Sequence, residues 1–228
     1  MIMLLLPLVL LGFSITANAA TFYQAELVCP IGGGSFTTTL AGSGFTSGRF
    51  LDLKPFGPTP APWPLAKCPS NGFVLYQSKF TDSELDRLKE FVESPMYQEQ
   101  KSLHTNYYLA AVLQRHLKEP PSRVAFTLLQ ATWEARGNQY QPYASEALEQ
   151  YKILLSEPYA DKKKWLTDQL IAGELERRLE RFEDAHKRFS ELKGGLPNDA
   201  FELEIVDLQM KLISERKSNQ QLIPSKKK

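Results

Sequence analysis

Gly173-Glu-Leu-Glu-Arg-Arg-Leu-Glu-Arg-Phe-Glu-Asp-Ala185-His-Lys-Arg-Phe189 is the stretch around which the rest of the chain organises. Gly173, Ala185, Phe189 and Pro197 fall at relative positions 0, 12, 16 and 24. Small side chains at the first two let antiparallel helices approach closely. The ring fills the gap to the next pair, and the proline stands where a helix cannot continue. Apolar residues at i, i+3/i+4 and i+7 extend the pattern both ways. One helix starts at an Asp161 cap and runs to about Leu179. Phe182, Ala185, Phe189 and Leu192 mark the next, ended by Gly194-Gly195. A last one, capped by Asn198 or Asp199, carries Phe201, Ile205, Leu208 and Leu212. Upstream lie Ala147, Tyr151 and Leu154; then Val124, Leu128, Ala131 and Ala135, ending near Gly137. Leu103 to Leu117 forms a further helix, stopped before Pro120-Pro121. The first begins at Thr81-x-x-Glu84, a capping-box signature, carries Leu85, Leu88 and Val92, and ends at Ser94-Pro95. The spacing thus predicts about seven helices over residues 81–217.

The fifth and sixth of these resemble a tetratricopeptide repeat. An earlier copy is looser, with Ala147 and Tyr151 lying 38 residues before Ala185 and Phe189. The seventh helix would cap the array. The resemblance implies binding of a peptide or partner protein on a concave face. Seven of the nine tyrosines lie between Tyr97 and Tyr159, and repeat packing accounts for most such rings. Tyr140 and Tyr143 fall in a predicted loop, Arg136–Tyr143, and are the candidates for exposed binding residues.

Residues 20–80 differ sharply in composition. They hold four basic and two acidic residues, eight of the 13 glycines and seven of the 15 prolines. Phe22–Val28, Ser35–Leu40, Arg49–Leu53 and Phe73–Phe80 read as short strands bounded by Gly and Pro. The expected fold is α+β, mostly α: a small β element over 20–80, the helical array, and a disordered tail from Ser218 to Lys228. Pro55-Phe-Gly-Pro-Thr-Pro-Ala-Pro-Trp-Pro64 is an extended, stiff loop, since proline fixes φ and donates no backbone hydrogen bond. Two readings stand. The loop is a recognition arm with Trp63 at its tip, or a rigid cover lying on the helices with Phe56 and Trp63 buried.

Cys29-Pro-Ile-Gly32 and Cys68-Pro-Ser-Asn71-Gly72 share an outline: each is a Cys-Pro-x-Cys knuckle lacking its second cysteine. Two intact knuckles would hold one tetrahedral zinc, but Gly32 and Asn71 are not useful ligands. With Ala131-Thr-Trp133 and Glu174–Ala185, these residues resemble the bacterial family catalogued as domain of unknown function 2225. That resemblance covers most of residues 22–195 and implies paired knuckles followed by repeat-like helices, with no established activity. With half the thiols gone, zinc binding is not carried over. If the knuckle backbone is retained, Cys29 and Cys68 could come within bridging distance, and a disulfide would replace the metal in an oxidising compartment. The alternatives are two separate thiols, a redox-active pair or a residual metal site.

Residues 1–25 carry no charge, and Met1–Phe13 is an apolar run followed by Ala17-Asn-Ala19. This reads as a secretory signal peptide, residues 1–19, cleaved near Ala19, although Met1-Ile-Met3 lacks the usual basic residue. An uncleaved membrane anchor and a buried cytosolic helix are the alternatives. The expected location is periplasmic or secreted. A net charge of +1 over 228 residues gives no global field for nucleic acid. Glu183-x-x-His186 has no second copy, as a di-iron bundle requires. Lys162-Lys-Lys164 and Arg177-Arg178 form a basic patch or, with the intervening acids, pairs on a wet helix face. No catalytic motif or cofactor signature emerges. The reading is a non-catalytic protein- or peptide-binding module. The alternative is a thiol-redox or metal-dependent enzyme using Cys29 and Cys68.

Overall fold

The computed structural model describes residues 20–225, so the expected signal peptide lies outside the described residues. The glycine- and proline-rich segment forms three separate two-stranded antiparallel sheets. The strands β1 (Thr21–Val28) and β2 (Ser35–Ser43) make a long ribbon. The other two pairs are short: β3 (Gly48–Arg49) with β4 (Pro55–Phe56), and β5 (Ala66–Lys67) with β6 (Val74–Leu75). The strand expected over Arg49–Leu53 breaks after two residues. There the chain folds into a tight turn, with Phe50 N–H donating to the Lys54 carbonyl and Leu53 at φ +63°.

Eight α-helices follow among the described residues: α1 (Asp82–Glu93), α2 (Pro95–Gln100), α3 (Asn106–Leu117), α4 (Pro121–Glu134), α5 (Tyr140–Ser156), α6 (Lys162–Arg178), α7 (Phe182–Gly195) and α8 (Phe201–Ser214). The protein is therefore α+β and mostly α. The expected count of seven misses α2. Ser94-Pro95 ends α1 but also begins a helix, because proline fits the first helical position and the Ser94 hydroxyl accepts the Tyr97 N–H. The capping box at Thr81 and Glu84 forms as expected, as does the Asp161 cap on α6. At α8 the cap position is Ala200, one residue past the expected Asn198 or Asp199, with no side-chain cap bond. The predicted loop Arg136–Tyr143 is instead a 3-10 turn, Gly137–Gln139, running straight into α5.

Successive helices from α3 to α8 pack side by side, and α6 also touches α8, so alternate helices share one side of the array. Gly173 lies under Phe189: a Cβ there would collide with the ring, which is why the residue is glycine. The change of composition near Phe80 is not a boundary in packing. Cys29, Ile31, Cys68, Phe73 and Val74 share one core with Leu88, Val92, Tyr97 and Leu113 of the helices.

The tail expected to be disordered from Ser218 is ordered through Ser225. Leu51 N–H donates to the Gln221 carbonyl at 2.8 Å, and Ile223 N–H donates to the Arg49 carbonyl at 2.9 Å. The segment thus lies antiparallel to Phe50 through a single bridge at Leu222, with Ile223 packed near Leu51, Ile205 and Leu212. Low hydrophobicity hid this, because main-chain pairing and carbonyl contacts, not apolar side chains, hold most of it.

Candidate functional site

The two cysteine turns have the same backbone pattern. In each, the Cys carbonyl accepts the N–H four residues on (Gly33, Gly72), and the Cys N–H donates to the carbonyl five residues on (Gly34, Phe73). The turns face one another across a Cys29–Cys68 disulfide with Cα atoms 5.7 Å apart. The positions that lack cysteine face each other too. A Cβ on Gly32 would stand 3.7 Å from Asn71 Nδ2, and that amide donates to the Ile31 carbonyl at 2.9 Å. A side-chain hydrogen bond and a disulfide therefore fasten the two turns. Both sulfurs are buried beneath Ile31, Phe73 and Val74.

A second junction ties the N-terminal segment and the tail to the alternate helices α4, α6 and α8. Arg177 is fully buried. Its guanidinium donates to Glu174 at 2.8 and 2.9 Å, to Gln209 Oε1 at 2.8 Å, and to the carbonyls of Lys217 and Asn219. Beside it, Arg178 donates to Asp52 Oδ2 at 2.8 Å, which also accepts from Gln220 at 2.7 Å. Arg178 lies over the Tyr140 ring, 4.1 Å from its centroid. Lys54 donates to the Trp133 carbonyl at the end of α4, and burial holds its ammonium below the usual lysine range despite the nearby Asp52. Each of these charges has partners, as buried charges require.

Burial pushes the Glu174 carboxyl up to about 7, outweighing the attraction of Arg177 and the Gln209 hydrogen bond. The folded state holds this proton more tightly than the unfolded chain does. The group therefore favours folding below pH 4.5, and that contribution is lost as the pH rises through about 7. Glu174→Gln has no such titration. The stability gap between wild type and this variant is expected to be larger at pH 5 than at pH 8 in paired urea titrations. A gap that widens toward alkaline pH would show instead that ion pairing outweighs burial.

The residues singled out from sequence separate clearly. Tyr143 is not a loop residue but core: its hydroxyl bonds His104 Nδ1 at 3.0 Å and accepts the Thr105 N–H, and its ring stacks on Tyr108. Tyr140 lies in the first turn of α5, and burial drives its hydroxyl pKa upward. Tyr143 is buried and Tyr140 half-buried, because α5 begins earlier than the stretch Arg136–Tyr143 suggests. Arg177 and Arg178 are not a surface patch, whereas Lys162 and Lys163 are exposed and Lys164 pairs with Asp168 four residues on. Trp63 and Phe56 are 44% and 45% exposed, so the proline loop does not bury them against the helices. Phe45, also exposed, neighbours that loop: Gly57 packs against its carbonyl, and Ser47 N–H donates to the Phe56 carbonyl at 2.8 Å.

Sequence reading missed Asp52, Glu174, Gln209 and Gln220. One signal was present. Asp52 is one of two acids in residues 20–80, set among apolar Phe50, Leu51 and Leu53, and so a candidate for a buried pair.

Among the described residues no three His, Cys, Asp or Glu side chains are grouped to hold a metal ion. No helix there is long and apolar enough to cross a membrane. The fold and its junctions define a mostly helical α+β protein, with a disulfide-closed pair of turns at one end and its own chain lying along the alternate helices. No known protein family, curated protein or solved structure matches this chain.

Proposed function

We propose that this is an exported, non-catalytic module that binds a protein or peptide, and that the binding surface is the proline arm with its neighbours. One observation carries the reading: Phe56 and Trp63 are exposed on a loop stiffened by five prolines, with exposed Phe45 beside it. Large rings held at low conformational cost are the usual anchors of protein interfaces. The alternate-helix side, where tetratricopeptide arrays receive peptides, already holds Leu51–Lys54 and the tail. Export is supported by the buried disulfide and by the uncharged, apolar start of the sequence. The resemblance to domain of unknown function 2225 fits the matched turns and adds no activity. Thiol chemistry at Cys29 and Cys68 has less support, since both sulfurs are 3% exposed or less.

The test is crosslinking capture from the cell envelope with wild type, with Phe56→Ser/Trp63→Ser, and with Ile153→Ser, which changes an exposed side chain on α5. The expected result is a partner held by wild type and by the Ile153 variant but lost from the arm variant. A partner held equally by all three, or none at all, contradicts the proposal.

A further inference from the structure

The ribbon β1–β2 leaves one long strand edge open. Among the described residues β1 pairs only with β2, and no other backbone hydrogen bond reaches Thr21–Val28. Open edges are normally guarded by lysine, proline, an inward charge or a central bulge. This strand, Thr21-Phe-Tyr-Gln-Ala-Glu-Leu-Val28, has one charge, no lysine and no proline, and its register is irregular only between Thr21 and Phe22. Phe22, Tyr23 and Val28 are each more than half exposed. A two-stranded ribbon is also marginal as a free-standing unit.

The strand is symmetric about Ala25 in residue character, though not in identity: Gln24 and Glu26 flank it, then Tyr23 and Leu27, then Phe22 and Val28. In an antiparallel pair, opposed residues lie on the same face of the sheet. A two-fold axis through Ala25, perpendicular to the ribbon, opposes Ala25 with its own copy. It opposes Gln24 with Glu26, Tyr23 with Leu27 and Phe22 with Val28 of the other chain. The apolar pairs fall at both ends, the smallest side chain sits on the axis, and the one charge meets an amide rather than itself. The alternative centred on Gln24 would set Phe22 against Glu26. The geometry points to a second copy of this chain as the partner of this edge, in a symmetric dimer with the four-stranded sheet β2–β1–β1–β2. The contact is isologous, so it closes at two copies.

The test is sedimentation velocity of the purified protein over a concentration series. Gln24 and Glu26 are exposed, and the side-chain hydrogen bond at stake within the monomer is Gln24 Nε2 to Thr39 Oγ1, so circular dichroism and urea unfolding check that each variant keeps the wild-type fold. Wild type is expected to dimerise. Gln24→Glu sets like charges opposite each other twice and weakens the dimer roughly tenfold. Adding Glu26→Gln to that variant restores pairs in which one charge faces an amide, and with them the wild-type constant, and Gln24→Lys alone tightens association. A wild type that remains monomeric throughout overturns the inference. So does a dimer indifferent to Gln24→Glu, or one that Glu26→Gln fails to rescue.

Discussion

At pH 8, where Glu174 is ionised, Arg177→Ala is expected to lower the free energy of unfolding by about 4 kcal/mol, the cost of stripping one partner from a buried ion pair. The guanidinium is fully buried and serves Glu174, Gln209 and two tail carbonyls at once. Removing it leaves the Glu174 carboxyl, Gln209 Oε1 and those carbonyls short of donors in a space closed to bulk water. The loss spreads along the chain, because the segment after α8 is held by these bonds and by its pairing with Arg49 and Leu51. Limited proteolysis is therefore expected to cut the variant between Lys217 and Gln221 before the helices. Arg216→Ala is the control. That side chain is 69% exposed, and its loss should shift urea unfolding by less than about 0.5 kcal/mol. Equal effects at the two positions would mean that Arg177 does not fasten the tail.

Cys29→Ser/Cys68→Ser is expected to destabilise by a similar amount. The bridge closes a sequence separation of 39 residues, which in the chain-entropy treatment is worth about 4 kcal/mol. Each new hydroxyl would also enter an apolar core beside Phe73 and Val74. The Asn71–Ile31 hydrogen bond and the four backbone bonds of the two turns remain. They should keep the turns recognisable at low temperature while the midpoint falls. Urea unfolding of wild type with and without reductant gives the same comparison without mutation. A midpoint unmoved by reduction of both sulfurs would show that the bridge adds nothing to the fold.

The helices were legible because their information is local. The capping box at Thr81, the Asp161 cap and the Gly173/Phe189 spacing are written in neighbouring residues, and α1, α6 and α7 follow from them. The errors have the opposite character. Ser94-Pro95 both ends and begins a helix, so a breaker hid α2. Leu53 turns the chain at positive φ, which no propensity for leucine foretells, and a strand became a turn. The Asp52–Arg178 and Asp52–Gln220 pairs span 126 and 168 residues, and the Arg177 bonds to the tail span 40 or more, between groups that look like ordinary surface charges in a helix pattern. Tyr140 and Tyr143 were misplaced for a related reason: the first turn of α5 tolerates Pro142, and the loop composition masked the helix start. Among the binding candidates only Trp63 stands where a partner could reach it. Its proline neighbours were the visible cue.

The central claim is that a single buried disulfide joins the paired Cys-Pro turns, whose shared core with Leu88, Val92, Tyr97 and Leu113 seats the N-terminal segment on the helices. Intact mass after alkylation, first on the native protein and then after unfolding with reductant, tests it most directly. The account predicts no alkyl group on the native chain, and two only once it has been unfolded and reduced. Two alkyl groups after unfolding without reductant would contradict it.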